Sequence, residues 1–569
     1  MKKGFLVIIF LIFIFLPGFI RAGDILGDSV NFYIQSSYDA SGRDQVQATL
    51  RKISSRAYWY LDNEWWDGLS GDERNEILVS IDSLAEEFEI KIYPTLTNTF
   101  GSEWNPGIDK DSRITILIHS MIERAGGYFN SGDEYLKSQF PESNEREIIY
   151  LNTINLKKTL VKSFLAHELQ HLISFNQKEK IYNVSEDVWL NEARSEYVPT
   201  LLGYNQDFEG SDLQRRIKNF LDKPYDSLTE WKNLPYDYGV VNLFIHYLVD
   251  HYGREILVDS LRSPKTGIEG LNFALSRAGF KEDFSQIFTD WAITVLINDC
   301  AISLKYCYLD PNLKNIKLVP LINYLPSIGK SVLSVTNTTK DWASNWHKFI
   351  GGNNRSLELE FIGSPLANFK IPYLIQNNQG DFSIDFLKLD EDQVGTIYVP
   401  DFGSKNISLT IIPLLQNKIS GFSDLEPSFT FFWKASTIEV VNIEEEELIR
   451  RLLVQIEELK KEIVFIQTQI DAILGGEKLS CSKLEENLYY GMRNDNRVRC
   501  LQKFLKSQGK EIYPEELVTG NFLFLTKLAV IRFQEKYSNE ILAPLNLGAG
   551  TGFVGSMTRA KINQLGFGY

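Results

Sequence analysis

Basic blocks, clustered cysteines and internal apolar runs are what this chain most conspicuously lacks, and each absence removes a class of function. With a formal charge of -15 and a pI near 5.1, and no Lys/Arg block to offset them, most of the surface repels polyphosphate, which excludes nucleic acid as a partner. Beyond the first twenty-odd residues no apolar stretch approaches membrane-spanning length. The four cysteines fall as two local pairs, Cys300 with Cys307 and Cys481 with Cys500. That spacing does not resemble a Cys-rich zinc site, and it suits an exported chain with optional disulfides. Any metal chemistry must therefore rest on His and Glu. Solenoid repeats and low-complexity tracts are also missing.

What is there reads as a multidomain globular protein. At 569 residues, with 44% apolar, 13% aromatic and 23% charged side chains, the chain should fold over most of its length into several units. Residues 1–22 carry Lys2 and Lys3, an apolar run from Phe5 to Leu16, Pro17 and a small residue at Ala22, the order of a secretory signal. An uncleaved N-terminal membrane anchor is the alternative. Both place the bulk of the protein outside the cytoplasm, secreted or associated with the cell wall or periplasm.

Residues 23–310 mix strand-like runs, at 114–118 and 148–151, with long helical patterns, and are expected to form an α+β domain. Residues 311–441 change to short alternating runs divided by Gly, Asn, Pro and Asp, the texture of a β-sandwich. Within residues 442–476, Ile449, Leu452, Ile456, Leu459, Ile463, Ile466, Ile470 and Ile473 mark a heptad seam. It fits a coiled-coil helix able to join copies into a homo-oligomer, or one amphipathic helix packed on a neighbouring domain. Residues 477–569 form a small all-α pattern.

The chemistry concentrates in residues 163–173. This run has no Gly or Pro and predicts a buried helix, on which His167 and His171, four apart, can reach one ion. Glu168 is offset by one position, close to that ion but turned from it, as a general base should be. Zinc held by two imidazoles needs a further protein ligand, and Glu192, on the next helical pattern, is the candidate. Glu196, one turn later, is expected to accept the ring N–H of a ligand histidine, with Asn191 as a further supporting residue. His119, His246, His251 and His347 read as structural or surface histidines, although His251 could enter the cleft.

His167-Glu168-x-x-His171, the twenty-one-residue interval to Glu192 and the Asn191-Glu192-x-x-Ser195-Glu196 helix together resemble the gluzincin (glutamate zincin) metallopeptidases. The stretches at 143–152 and 189–193 are closest to their hyicolysin-like bacterial branch. Glu196 departs from the Asp familiar in thermolysin-like enzymes. The resemblance implies a zincin fold in residues 23–310, one Zn2+, and hydrolysis of a protein or peptide substrate. Pro235-Tyr236-Asp237-Tyr238-Gly239 is similar to an element of gluzincin aminopeptidases whose tyrosine stabilises the oxyanion. That implies a catalytic role for Tyr236, with Tyr238, standing where that element has Lys, as the competitor. Gly126-Gly127-Tyr128-Phe129 could be an edge strand receiving substrate backbone, or a plain glycine turn.

The tail carries Val498-x-x-Leu501-Gln502, Thr519-Gly520-x-Phe522, Thr526-x-x-Ala529-Val530-x-x-Phe533-Gln534 and Val554-Gly555-x-x-Thr558. It resembles the three-helix peptidoglycan-binding domain, which implies peptidoglycan as a partner. The competing reading of the whole chain is a wall-bound adhesin or spacer with a vestigial metal domain.

Overall fold

The computed structural model describes residues 23–326, 331–438, 481, 483–514 and 516–566. The signal segment 1–22 and the heptad segment 442–476 lie outside them. The chain separates into two compact units, up to residue 440 and from 441 onward. Among the described residues no helix is long and apolar enough to cross a membrane.

The first unit opens with a six-stranded sheet. Its strands are β1 (Ser29–Tyr33), β2 (Gln45–Ile53), β3 (Ala57–Asp62), β4 (Ile114–His119), β5 (Gly127–Phe129) and β6 (Ile148–Asn152), in the spatial order β1-β2-β3-β4-β6-β5. Strands β3, β4 and β6 run parallel and are buried along their whole length, as their apolar and β-branched composition demands. β5 pairs antiparallel with β6 and forms one edge. Of the segment Gly126-Gly127-Tyr128-Phe129, the last three residues therefore lie in a strand and not in a free turn.

Helices α1 (Asn63–Asp67), α2 (Gly71–Glu87) and α3 (Tyr93–Phe100) link β3 to β4, with a capping box between Ser70 and Glu73 starting α2. After β6 come α4 (Val161–Phe175), α5 (Val188–Leu201), α6 (Asp212–Asp222), α7 (Pro235–Tyr252), α8 (Glu255–Leu261), α9 (Gly267–Ala278) and α10 (Phe284–Ile297). α4 lies under β5 and β6 and contacts α5, which in turn contacts α7.

Residues 321–438 form ten further strands, β7 (Leu321–Leu325) to β16 (Phe429–Ile438). Two ladders are joined through the single pair Phe402 with Asn406: one runs β12 (Phe382–Leu387), β11 (Phe369–Asn377), β14 (Asn406–Ile411), β9 (His347–Gly351), β7, and the other β13 (Val394–Phe402), β10 (Arg355–Gly363), β16, β8 (Val332–Thr339); both contribute side chains to one apolar cluster. The expected boundary near residue 310 is not a loose linker. Trp342, Trp346, Ile412 and Leu414 belong to the same buried cluster as Phe284 and Trp291 of α10, and Trp346 Nε1 donates to the Ala292 carbonyl at 2.9 Å.

The second unit contains α11 (Asn496–Ser507), α12 (Phe524–Lys536), α13 (Ser538–Ile541) and α14 (Ser556–Leu565) around its own core. Both cysteine pairs are disulfides, Cys300–Cys307 in the first unit and Cys481–Cys500 in the second. Gln502 and Gln534 make matching sets of bonds. Each side-chain oxygen accepts from two backbone N–H groups of a Thr-Gly turn (Thr519 and Gly520; Thr551 and Gly552), and each amide donates to a threonine, Thr526 or Thr558. Many residues that carry the peptidoglycan-binding resemblance thus hold the turns of this unit together.

Glu134 and Glu147 are buried close to each other, and Glu147 Oε1 accepts from the Ile108 amide at 2.8 Å. Burial pushes Glu147 up to about 7, and Glu134 is also raised by burial and by Glu147. Raised carboxyl pKa values favour folding at low pH, and this contribution is lost as pH rises from the ordinary glutamate range through about 7. Glu147→Gln is expected to raise the thermal midpoint at pH 8 by on the order of 2 °C or more while leaving it nearly unchanged at pH 4.5, read by differential scanning fluorimetry.

Candidate metal centre

α4 presents His167 and His171 on one face, one turn apart, and the helix runs without a cap or breaker because Leu165, Ala166, Leu169 and Leu172 are all buried against neighbouring elements. α5 brings Glu192 to the same point. His167 Nε2 lies 3.0 Å from His171 Nε2 and 3.2 Å from Glu192 Oε2, and His171 Nε2 lies 3.5 Å from that oxygen. Among the described residues this is the one group of three or more His, Cys, Asp or Glu side chains whose donor atoms converge, all within 4.8 Å. Zinc bonds of ~2.0–2.1 Å in tetrahedral geometry separate adjacent ligand atoms by about 3.3 Å. The three separations bracket that value, so the donor set fits one such ion.

The opposite ring nitrogens are engaged elsewhere. His167 Nδ1 faces Glu196 Oε1 at 3.4 Å, and His171 Nδ1 faces Ser195 Oγ at 3.4 Å. Orienting contacts of this kind fix a ligand ring and raise its basicity. Glu196 is itself fully buried and clamped: Arg216 of α6 donates Nε to Oε2 at 2.7 Å and Nη2 to Oε1 at 2.5 Å, and Asn242 of α7 donates to Oε2 at 3.0 Å. For Glu192, burial raises the pKa but the adjoining His171 and His167 outweigh it, holding the carboxyl below its ordinary range.

Glu168 leaves α4 toward β5. A Cβ on Gly127 would come within 3.1 Å of Glu168 Cγ and 2.6 Å of the Tyr150 carbonyl, and one on Gly126 within 2.6 Å of the Phe164 ring. The glycines are what let the edge strand approach the helix so closely. Burial, with the nearby Glu192 and Glu196 charges, pushes the Glu168 carboxyl up to about 8, against the opposing pull of His171. A dication between the three donors would lower it again.

A cavity of about 330 Å³ opens over this point, and Gly126, Gly127, His167, Glu168, Tyr38, Asn233 and Tyr238 are among its walls. Tyr236 is not among its walls. Tyr236 and Tyr238 project to roughly opposite sides of α7, and Tyr236 lies beside the Lys223 ammonium, 5.2 Å from its ring centroid. Of the two tyrosines in the α7 motif, Tyr238 and not Tyr236 lines the cavity. Asn191 lies on α5 beside Glu192, and its buried Oδ1 has no hydrogen-bond partner among the described residues. His251 does not enter the cleft, because its Nε2 pairs with the Cys307 carbonyl at 2.9 Å. His246 is satisfied by Thr200 and the Asn242 carbonyl, while His119 faces Asp39 and His347 is buried in the second sheet.

No protein-family model matches the chain. Over a 220-residue alignment it is 29% identical to the neutral metalloprotease ShpI of Staphylococcus hyicus, covering 34% of this chain and 48% of that protein. The chain is a distant relative of a neutral metalloprotease. It spans about half the length of the curated relative it matches. Among solved structures, the M60 catalytic domain with two CBM51 domains of Clostridium perfringens ZmpB is 8% identical, with a TM-score of 0.22, over 68% of this chain and 59% of that one. The periplasmic g-type lysozyme inhibitor PliG of Aeromonas hydrophila gives 11% and 0.15 over 21% and 100%. Scores this low carry no argument about fold or chemistry.

Tyr38, Asn233, Arg216 and Asn242 escaped the motif reading. Arg216 had a signal: it sits among Leu213, Ile217 and Phe220 on the apolar face of α6, where a charge demands a buried partner. Replacing it tests that demand. Arg216→Met strands Glu196 without its cation, and a loss of ~3–5 kcal/mol of unfolding free energy is expected in urea titrations, with weakened metal retention.

Proposed function

We propose that this chain is an exported zinc-dependent endopeptidase that hydrolyses protein or peptide bonds at the bacterial cell wall. The observation that carries the reading is the convergence of His167, His171 and Glu192 donor atoms beside Glu168 at the foot of a cleft. The distant relation to a neutral metalloprotease supports it. Bound there, zinc would supply Lewis acidity, polarising a peptide carbonyl and acidifying water to a pKa of ~7.

The chain's own residues do the remainder. Glu168, held between α4 and β5, takes the proton from the attacking water and delivers it to the leaving amine. β5 is the last strand of its sheet, and an extended substrate backbone could add to its outer edge as a further strand and so be aligned with Glu168. A phenol lining the cleft donates to the developing oxyanion.

The proposed layout is a signal segment at 1–22, an α+β zincin domain at 23–310, a β-sandwich at 311–441, a coiled-coil helix at 442–476 and a peptidoglycan-binding-like domain at 477–569. The shared apolar cluster of the two ladders supports the sandwich. The tail motifs support wall association. One zinc per chain is expected by elemental analysis, lost in His171→Ala and restored activity on adding zinc after chelation. Glu168→Gln is expected to keep the metal and lose ~100-fold or more in kcat on casein-derived peptides. An active Gln variant, or a zinc-loaded wild type that cleaves neither protein nor muropeptide, would overturn the reading and favour a wall-bound adhesin.

A further inference from the structure

Two phenols lining the cleft share a single amide. Tyr238 donates its hydroxyl hydrogen to Asn233 Oδ1 at 2.8 Å, and Asn233 Nδ2 donates to the Tyr38 hydroxyl oxygen at 2.8 Å. Counting donors and acceptors separates the two tyrosines. The Tyr238 proton is committed to the amide. The Tyr38 oxygen has accepted a bond, and its own proton has no acceptor among the described residues. An O–H whose oxygen accepts a hydrogen bond is also polarised into a stronger donor.

Tyr38 is held in place independently of any ligand. Its ring stacks on Tyr128 of β5, with centroids 4.8 Å apart and planes 14° from parallel, and Tyr128 stacks on Tyr150 of β6 at 4.1 Å and 9°. The Tyr38 carbonyl accepts from the Ile122 amide at 2.8 Å, tying the loop after β1 to the segment after β4. This anchors the phenol to β5, the strand that carries Gly127 of the same cleft. Burial raises the Tyr38 pKa, and the Glu168 and Glu192 charges add to it, which places the hydroxyl within electrostatic range of both and keeps it protonated. Tyr238 is placed differently, with the Arg216 guanidinium 4.3 Å from its ring centroid and Trp231 packed edge-on at 4.8 Å. It acts as a post that orients Asn233.

We propose that Tyr38 is the hydroxyl that donates a hydrogen bond to the oxyanion formed on the substrate carbonyl, with Asn233 and Tyr238 as its positioning residues. The inference rests on the peptidase reading above and names the donor within it. It differs from the expectation drawn from the α7 motif, which places the catalytic tyrosine at 236 or 238.

The zinc-loaded full chain, with Tyr38→Phe, Tyr238→Phe, Asn233→Asp and Glu168→Gln variants, tests it through peptide turnover and the affinity of a phosphonamidate peptide that mimics the oxyanion. Tyr38→Phe is expected to lower kcat by ~100-fold with KM within about twofold, and to weaken the phosphonamidate by a similar factor. Asn233→Asp, a carboxylate that can only accept, draws both phenolic protons to itself and should reproduce the loss without deleting either ring. Tyr238→Phe removes the bond that orients Asn233 and is expected to lower kcat by a smaller factor, about 5- to 10-fold. If Tyr38→Phe keeps wild-type kcat and phosphonamidate affinity while Glu168→Gln is inactive, the assignment to Tyr38 fails and the peptidase reading stands. If Tyr238→Phe takes the whole loss, the amide is turned the other way and the assignment is likewise overturned. A wild type that neither cleaves peptides nor binds the phosphonamidate overturns both.

Discussion

Everything at the centre of the first unit depends on charge that no single helix could bury alone. Glu196 sits in the contact of α5 with α6 and α7, fully out of water, and survives there because Arg216 meets it with two nitrogens and Asn242 with a third donor. An ion pair of this kind adds little net stability over an apolar substitute, but breaking it is expensive, so it specifies one arrangement of the three helices rather than strengthening it. The fixed arrangement is what lets Glu196 face His167 Nδ1 and Glu192 reach the two Nε2 atoms from the same helix. Lys178, Glu186 and Arg194 repeat the strategy, with Glu186 just before α5 pairing with Arg194 within it. Lys178 is buried, donates to the Ser260 and Ser263 carbonyls and lies 3.5 Å from Glu186, which also pairs with Arg194.

The ligand helix was legible because its chemistry is local. Four residues of separation on a helix place His167 and His171 on one face whatever the rest of the chain does, and the Glu192 to Glu196 interval works in the same way. Residues contributed from distant segments were not legible. Tyr38 reaches the cleft from a loop after β1, and Asn233 from the turn before α7; neither lies in a spacing that a motif could record. The position of Tyr236 outside the cavity has a related cause. A short motif identifies a segment, but which of two tyrosines two residues apart faces inward depends on how α7 is rotated against α6, where Gly239 lies so close to the backbone of Phe220 that a Cβ there would come within 2.5 Å.

The strands of residues 321–438 were visible as alternating runs, and the structure adds what alternation cannot carry: which faces meet. Trp342 and Trp346 point out of the strand region into the helical core, so the division expected near residue 310 follows composition and not packing. In the second unit the reverse holds. Gln502 and Gln534 were read as marks of a binding module, and their bonds show how much of that pattern a small helical fold needs merely to close its turns.

The tryptophans that cross from strands to helices set the smallest piece of this protein that can stand by itself. A fragment ending near residue 310 would uncover the rings of Phe284 and Trp291 and leave the Ala292 carbonyl without its indole donor, presenting water with a sticky, half-built wall. Truncation designed around the metal helices alone invites aggregation, whereas a cut after residue 438 leaves that seam whole.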